Sequence, residues 1–408
     1  LLKVLLSGTQ NTFVEDKLNG NYDAIRDYDE SYVQGKLALT SVFTHKFNAK
    51  NSVRTGFTLS HLTYDLNKQY RDDSSGLMQT FMQTSGSTQT YQSFAQWNHK
   101  LSNRLTTNAG AHFLYLALNN TYSLEPRASI KYDVTAKQNI AFGYGLHSQL
   151  QPLGAYFAQN KFTGVQPNKD LDLTKAHHFI LSHDISLTAN THVKTEVYYQ
   201  HLFNVPVAAD VTNTFSMLNV TDGYTEDGLV NKGAGKNYGV ELTIERFTFK
   251  NFYYLLSLSL YESKYEAANK QWYDTRFNTN YATTFTAGKE WQLSEKRKGR
   301  VLGVNGKLVY VGGFRTSPVN LAESIRKNET VYDESHPFTL QNKDYFRVDV
   351  RISIKRNYAK LTSTLSLDIQ NATNNQNIGG QRFDKKTGTV KYFYQTGLLP
   401  VLAYRIEF

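Results

Sequence analysis

The chain has 408 residues, a formal net charge of +10, and 40% hydrophobic and 13% aromatic residues, with 28 Tyr, 24 Phe, 7 Pro and no Cys. Without cysteine there are no disulfides and no thiolate metal centres, and no run approaches the roughly 18 apolar residues of a spanning helix, which excludes a helical membrane protein but not a barrel. The basic residues are scattered apart from one dense cluster at Lys296 to Arg300, a pattern of solvated surface rather than of nucleic-acid binding.

The length suits two or three soluble domains or one large barrel. The predicted elements are strands in hairpin series. Residues 1–7 read as a strand, so the chain opens without a signal peptide, as a mature or truncated sequence does. A polar loop rich in Asp and Asn follows. Strands over 32–47 and 52–65 meet at the tight turn 48–51. A long loop through Asp72, Asp73 and Gly76 leads to strands 90–101 and 105–118, joined at 102–104. A moderate loop precedes 125–133, and the turn 135–138 gives 139–150. The next long loop holds Tyr156, Phe157 and Phe162. Strands 173–185 and 192–203 share the turn 188–190, and another long loop runs to about residue 236. Strands 237–249 and 252–265 have almost no turn between them, and a loop with Trp272 and Tyr273 follows. Strands 281–293 and 301–311 flank the basic cluster. The longest loop, 312–343, carries a helical turn at 321–327. Strands 345–355 and 361–370 meet at 357–360, and a final loop leads to the closing strand 399–408.

Short and long connections therefore alternate through about sixteen strands of about 10–15 residues. Globular strands usually have five or six residues, whereas a tilted membrane strand needs about 9–11. Alternation is clearest near the end. Phe346, Val348, Val350, Ile352 and Ile354 face one way, and Arg347, Asp349, Arg351, Ser353 and Lys355 the other. A soluble sheet would need a second layer over each apolar face, and no amphipathic helix is present to supply it. Closure in lipid satisfies every strand edge and gives the apolar faces a solvent. The fold class read from the chain is all-β, an antiparallel up-and-down transmembrane β-barrel in the bacterial outer membrane, with excess Tyr and Phe for its aromatic girdles.

The last residues read LPVLAYRIEF. Leu402, Tyr404, Ile406 and Phe408 fall on one face and Ala403, Arg405 and Glu407 on the other. An apolar outer face and a terminal Phe resemble the closing strand and assembly signal of outer-membrane barrels. Tyr404, Ile406 and Phe408 would then be read by the barrel-assembly machinery.

Several stretches, in order, resemble the barrel of TonB-dependent outer-membrane receptors, especially the branch carrying a carboxypeptidase-regulatory-like N-terminal domain. Glu125-Pro126-Arg127 leads into Ala128 to Tyr132, and Asn168 to Leu171 precedes His178. Tyr198-Tyr199-Gln200 is followed by Pro206, and Gly235 to Glu241 reads GKNYGVE, the most specific match. Gly288 to Trp291, Gly312 to Arg315, Tyr345 to Asp349, Asp368 to Asn371 and the terminal stretch complete the series. The resemblance covers most of the chain beyond about residue 120. It implies a 22-stranded barrel preceded by a plug and an energy-coupling box. This chain, residues 1–408, is then its C-terminal portion, with the plug and the N-terminal strands not present in it. It also implies import of a scarce nutrient, an inner-membrane energy-coupling protein acting through the plug and outer-membrane lipid around the barrel, and it leaves open the substrate (siderophore, vitamin, glycan or peptide) and a surface lipoprotein over the loops. No cofactor is implied.

The inward residues Glu241, Arg347, Asp349 and Arg351 are expected to line the lumen. His147 and Gln149 would also point inward beside Ala141, Gly143 and Gly145, small residues read as filling the strand's concave side. The candidate extracellular ligand contacts are Tyr156, Phe157, Phe162, Trp272, Tyr273 and Phe314, since aromatics with a polar edge suit sugars, peptides and amphipathic ligands. His177 and His183 share a face but lie about 20 Å apart at strand rise, too far for one metal. Asp72-Asp73 and Asp170/Asp172 lack the spacing of a calcium loop. Gly233-Ala234-Gly235 precedes a strand rather than a helix and is no phosphate loop. No nucleophile elbow appears, so no catalytic residue or metal ligand is assigned. The rival readings are a passive sixteen-stranded porin and a surface adhesin or structural barrel.

Overall fold

Residues that alternate apolar and polar along an extended backbone build one large sheet. The computed structural model describes residues 1–19, 25–71, 76–159, 164–221, 225, 228–293 and 299–408, with only the backbone of 15–19 and 25–27. In chain order the strands are β1 (Leu2–Asn19), β2 (Ile25–Lys46), β3 (Asn51–Arg71), β4 (Met78–Lys100), β5 (Leu105–Leu116), β6 (Thr121–Thr135), β7 (Gln138–Gln149), β8 (Thr174–Thr188), β9 (Thr191–Ala208), β10 (Leu229–Phe249), β11 (Phe252–Glu266), β12 (Trp272–Asp274), β13 (Tyr281–Gln292), β14 (Arg300–Val311), β15 (Arg315–Thr316), β16 (Leu340–Gln341), β17 (Tyr345–Asn357), β18 (Thr362–Gln370), β19 (Ile378–Asp384), β20 (Thr389–Tyr394) and β21 (Leu399–Glu407). Two short helices are α1 (Leu153–Tyr156) and α2 (Leu321–Lys327).

Seventeen strands form the main sheet. Each long strand pairs antiparallel with its neighbour in sequence, in the succession β1 to β11, then β13, β14, β17, β18 and β21. The three-residue β12 joins the upper end of β11. β15–β16 and β19–β20 are separate two-stranded ribbons within long connections. Among the described residues β1 pairs only with β2 and β21 only with β18, so these two strands are the edges of the sheet.

One face carries apolar rows that run from strand to strand. Val348, Leu308, Phe285, Leu256, Ile244 and Val193 stand side by side across six strands. Tyr404, Leu365, Ile354, Leu302 and Trp291 form a second such row near the short turns. Aromatics mark both margins of the band. Trp97, Tyr132 and Trp291 lie toward the short turns, and Tyr281, Tyr310 and Phe346 toward the long loops, with ring centroids 5.4 and 6.3 Å apart in succession. That is the pattern of a face solvated by hydrocarbon between two interfaces.

The opposite face is polar and concave. Tyr32 of β2, Leu66 of β3, Leu116 of β5 and Leu229 of β10 share one buried cluster with Tyr156, Phe157 and Met217 from the connections. Strands eight steps apart along the sheet meet there, so the sheet curls toward this side. The described parts of the next connection, 150–159 and 164–173, fold back over the inner wall. The Tyr64 and Phe157 rings lie 4.7 Å apart, and the Gln159 amide donates to the Phe81 carbonyl at 2.9 Å.

Several boundaries differ from the sequence reading. β2, β3, β4 and β10 have 22, 21, 23 and 21 residues, longer than expected. Beyond the apolar band the strands continue as polar hairpins, because backbone pairing satisfies their amides and carbonyls whatever the side chains. The Asp- and Asn-rich stretch after residue 7 is thus strand up to Asn19. The loop before Glu125 is only the four-residue turn 117–120, with Asn120 left-handed at φ 60°. The final loop carries the β19–β20 hairpin. The helical turn at 321–327 is α2 itself, capped by the Asn320 side chain accepting from the Glu323 amide and ended by left-handed Asn328.

Candidate functional site

The strand register assembles the inner wall into transverse rows that no local stretch of sequence reveals. Arg54, Gln96, Gly110, Arg127, Gly145 and His178 stand side by side on β3 to β8. The row continues through Gln200, Asn237 and Ser263 on β9 to β11, where Asn237 Nδ2 donates to Gln200 Oε1 at 3.0 Å. One row nearer the short turns, Asn98 Nδ2 donates to Asn108 Oδ1 at 2.7 Å and Asn108 Nδ2 to Ser129 Oγ at 3.2 Å. One row nearer the long loops, Phe94, His112 and Glu125 are neighbours.

Glu125 is 1% exposed. A carboxylate taken out of water must be paired or it costs several kcal/mol. Here the Arg127 Nη2 donates to Oε2 at 2.7 Å, His112 Nδ1 lies 3.0 Å from the same oxygen, and the Ser148 hydroxyl donates to Oε1. His112 Nε2 lies 3.3 Å from Gln92 Oε1. The His147 and His178 rings lie in contact, tilted by 44° with centroids 4.5 Å apart. Of these groups His112, Arg127, His147 and His178 line a hollow of 520 Å3 on the wall, which Arg54, Phe94 and Gln96 also border. A second hollow of 530 Å3 lies farther round, bordered by Glu196, Tyr198, Glu241, Tyr261 and Phe277.

The residues singled out in the sequence are distributed as follows. Glu241 is on the inner face of β10, its Oε1 accepting from Ser259 Oγ at 3.3 Å. Arg347 Nε bonds Asp349 Oδ1 at 2.6 Å, its Nη2 donates to Gln370 Oε1 at 3.0 Å, and Arg351 Nη1 lies 3.4 Å from Asp368 Oδ1. These groups occupy the face opposite Val348, Val350 and Ile352. Tyr156 and Phe157 are not at a solvent-facing surface: they are 0% and 3% exposed in the cluster over the inner wall. Their apolar rings are the core of the inward-folded connection. Burial also pushes the Tyr156 phenol up to about 12. Phe162 lies outside the described residues. Trp272 is partly exposed on the outer side, with Lys236 Nζ 4.2 Å from its ring centroid. The Tyr273 ring is tilted against the buried Tyr265 with centroids 5.6 Å apart, and Phe314 is exposed at the start of its loop.

Tyr404, Ile406 and Phe408 are exposed on the apolar face of β21. Gln149 and His147 end β7, and of the two His147 borders the hollow. Among the described residues no three His, Asp or Glu side chains gather closely enough to hold a metal ion.

The wall hollow is what sequence reasoning missed. Glu125-Pro126-Arg127 was legible as a motif and Gly143 and Gly145 as small residues facing inward, but Arg54 and Gln96 carry no local signal. Only the cross-strand register joins them.

The model of the family described as TonB dependent receptor-like, beta-barrel matches residues 5–372. No curated protein sequence matches. Solved structures with similar folds include the ferric yersiniabactin uptake receptor FyuA from Yersinia pestis, at 12% identity and a TM-score of 0.65, covering 100% of this chain and 59% of that one. The pyoverdine outer membrane receptor FpvA from Pseudomonas aeruginosa PAO1 has 11% identity and a TM-score of 0.68, again over 100% and 59%. The ferric-catecholate import receptor Fiu from K12 E. coli has 13% identity and a TM-score of 0.64, over 99% and 61%. The chain thus spans about three-fifths of the length of these structures.

Proposed function

The chain belongs to the TonB dependent receptor-like β-barrel family, and from that premise we propose that it forms a large part of the wall of a receptor that imports a scarce nutrient in an energy-coupled way. Barrels of this family lie in the outer membrane of Gram-negative bacteria. The observation that carries the reading is the family match over 5–372 on a sheet whose apolar face suits lipid and whose polar face is concave. Strand edges left unpaired in hydrocarbon would cost several kcal/mol per group, so further strands pair with β1 and β21 to complete the wall, as a 22-stranded barrel requires. A plug fills the lumen, and an inner-membrane protein pulls on it to supply the energy. Glu241, Arg347, Asp349 and Arg351 face the plug. The aromatic and polar tops of the long loops, Trp272, Tyr273 and Phe314 among them, meet the nutrient or a surface lipoprotein. Tyr404, Ile406 and Phe408 serve the barrel-assembly machinery.

The family is made up of transporters, and the wall's carboxylates and histidines bind and pack rather than catalyse. The test is uptake in cells with and without the gene, and with and without the inner-membrane coupling protein. The reading expects a growth defect on a limiting nutrient that appears equally when either is removed. Uptake that survives loss of the coupling protein would point to a passive porin, and no uptake defect at all to an adhesin.

A further inference from the structure

The apolar outer face turns basic where it approaches the short turns. Arg246 follows Leu242 and Ile244 on the outward side of β10, and Lys289 follows Phe285 and Ala287 on β13. Arg300 and Arg356 stand opposite each other at the ends of β14 and β17, on the side of Leu302 and Ile354. The neighbouring carboxylates, Glu245 and Glu290, alternate onto the lumen side. None of these four outward cations meets a carboxylate within ion-pair distance among the described residues, whereas the lumen-side Lys194, Arg347 and Arg351 all do. Like charges directly opposed destabilise a sheet, so this margin carries positive charge that the chain itself leaves uncompensated.

Two of the cations converge. Arg246 is opposite Tyr254 on β11, and Phe252, the next residue on that face, is opposite Lys289. By strand spacing and rise their Cα atoms are about 12 Å apart, within the joint reach of two long side chains. The Arg246 guanidinium carbon lies 5.8 Å from the Phe252 ring centroid and 5.6 Å from that of Phe249, so it leans toward β11 and Lys289. The Lys289 ammonium lies 5.5 Å from the Trp291 ring centroid. Arg246 Nε is buried without a hydrogen-bond partner among the described residues, a destabilising state for a donor.

Beside them the outer face is low. Ala287 and Gly306 are directly opposite each other, between Phe285 and Leu308 on one side and Lys289 and Val304 on the other. A Cβ on Gly306 would meet nothing within 4 Å. Two small residues flanked by larger ones leave a shallow trough that an extended hydrocarbon chain fits.

We propose that this margin binds an acidic phospholipid of the inner leaflet, the side on which the short turns of an outer-membrane barrel lie. The phosphate accepts hydrogen bonds from Arg246 and Lys289, a planar fork and a point charge suited to its oxygens. Phe252 is the floor between them, and one acyl chain lies along Ala287 and Gly306. Charge complementarity selects this occupant, because basic residues at a bilayer surface attract anionic lipid. The site faces away from the lumen. It goes beyond the import reading and depends on neither plug, nutrient nor energy coupling.

The test uses the full-length protein, purified from the outer membrane and placed in phosphatidylcholine vesicles containing phosphatidylglycerol. Brominated acyl chains on one lipid or the other quench nearby tryptophan fluorescence, and the share due to Trp291 is the difference between wild type and Trp291→Phe. At low salt, phosphatidylglycerol should be preferred over phosphatidylcholine at Trp291 by at least about fivefold. Arg246→Gln combined with Lys289→Gln should bring the preference to about one, while the charge-keeping pair Arg246→Lys and Lys289→Arg should retain it. Unaltered circular dichroism and heat-denaturation midpoints verify folding. If the glutamine pair does not fold, Lys289→Gln alone, at an exposed position, decides by lowering the preference at least about twofold. Equal quenching by the two lipids in wild type, or a preference unchanged in the folded glutamine variants, overturns the proposal. Because lipid contact and not uptake is measured, its failure would leave the import reading standing, and the failure of import would leave this site standing.

Discussion

At the residue scale, Glu125 shows how a wall of strands tolerates a buried charge. Its carboxylate is stabilised by Arg127, His112 and Ser148 together. Removing one partner of a buried ion pair costs more than removing both, because the remaining charge stays desolvated. Arg127 is 44% exposed, so solvent screens part of the effect. Arg127→Leu should therefore lower stability by about 1–3 kcal/mol, and adding Glu125→Gln should recover part of the loss. Denaturation in detergent measures this; a double variant as unstable as the sum of the two singles would mean the groups are uncoupled. Tyr156 gives a second prediction. Its folded pKa, pushed to about 12 by burial, lies above the roughly 10 of an unfolded phenol. The neutral phenol thus contributes stability that is fully present below pH 10 and lost as pH rises toward 12. Wild-type protein should lose thermal stability over that range more steeply than Tyr156→Phe, and parallel curves would show that Tyr156 is not buried.

At the element scale the sheet follows one pattern, mostly apolar on the outer face and polar on the inner, clearest from β9 to β18. Phe285 sits between Leu256 and Leu308 in the apolar row, while Thr284 beside it faces inward. Phe285→Arg should destabilise the barrel by about 2–4 kcal/mol, whereas Thr284→Arg should cost less than about 1 kcal/mol. Reversible unfolding into lipid vesicles distinguishes them, and equal costs would mean the faces are wrongly assigned. In the long loop, Asn320→Ala should cost α2 about 1 kcal/mol by removing its cap, read as faster local amide exchange over 321–327. Much of this level was legible in the sequence. Period-2 alternation in 346–355 identified β17, and Asn320 and Asn328 bracket the one helix that was expected. What was illegible follows from physics too. The upper parts of β1 to β4 lack apolar alternation because water covers both sides there, so polar strand and polar loop look alike. Tyr156 and Phe157 read as surface aromatics because the inward fold of their connection depends on partners such as Tyr64 and Leu66, nearly a hundred residues away.

At the scale of the whole molecule, the curled sheet has two consequences. It gathers residues from Arg54 to His178 around one hollow, and it leaves β1 and β21 as edges that lipid cannot solvate. Both follow from pairing strand after strand in sequence order, which is also why the alternation of short and long connections is legible in the amino-acid sequence. The central claim is a gated, energy-coupled barrel rather than an open pore. The most direct measurement is the ionic current through the protein, purified from the outer membrane and inserted in a planar bilayer. The account predicts almost no current, since the proposed plug would close the lumen. A large, steady conductance with weak ion selectivity would contradict it.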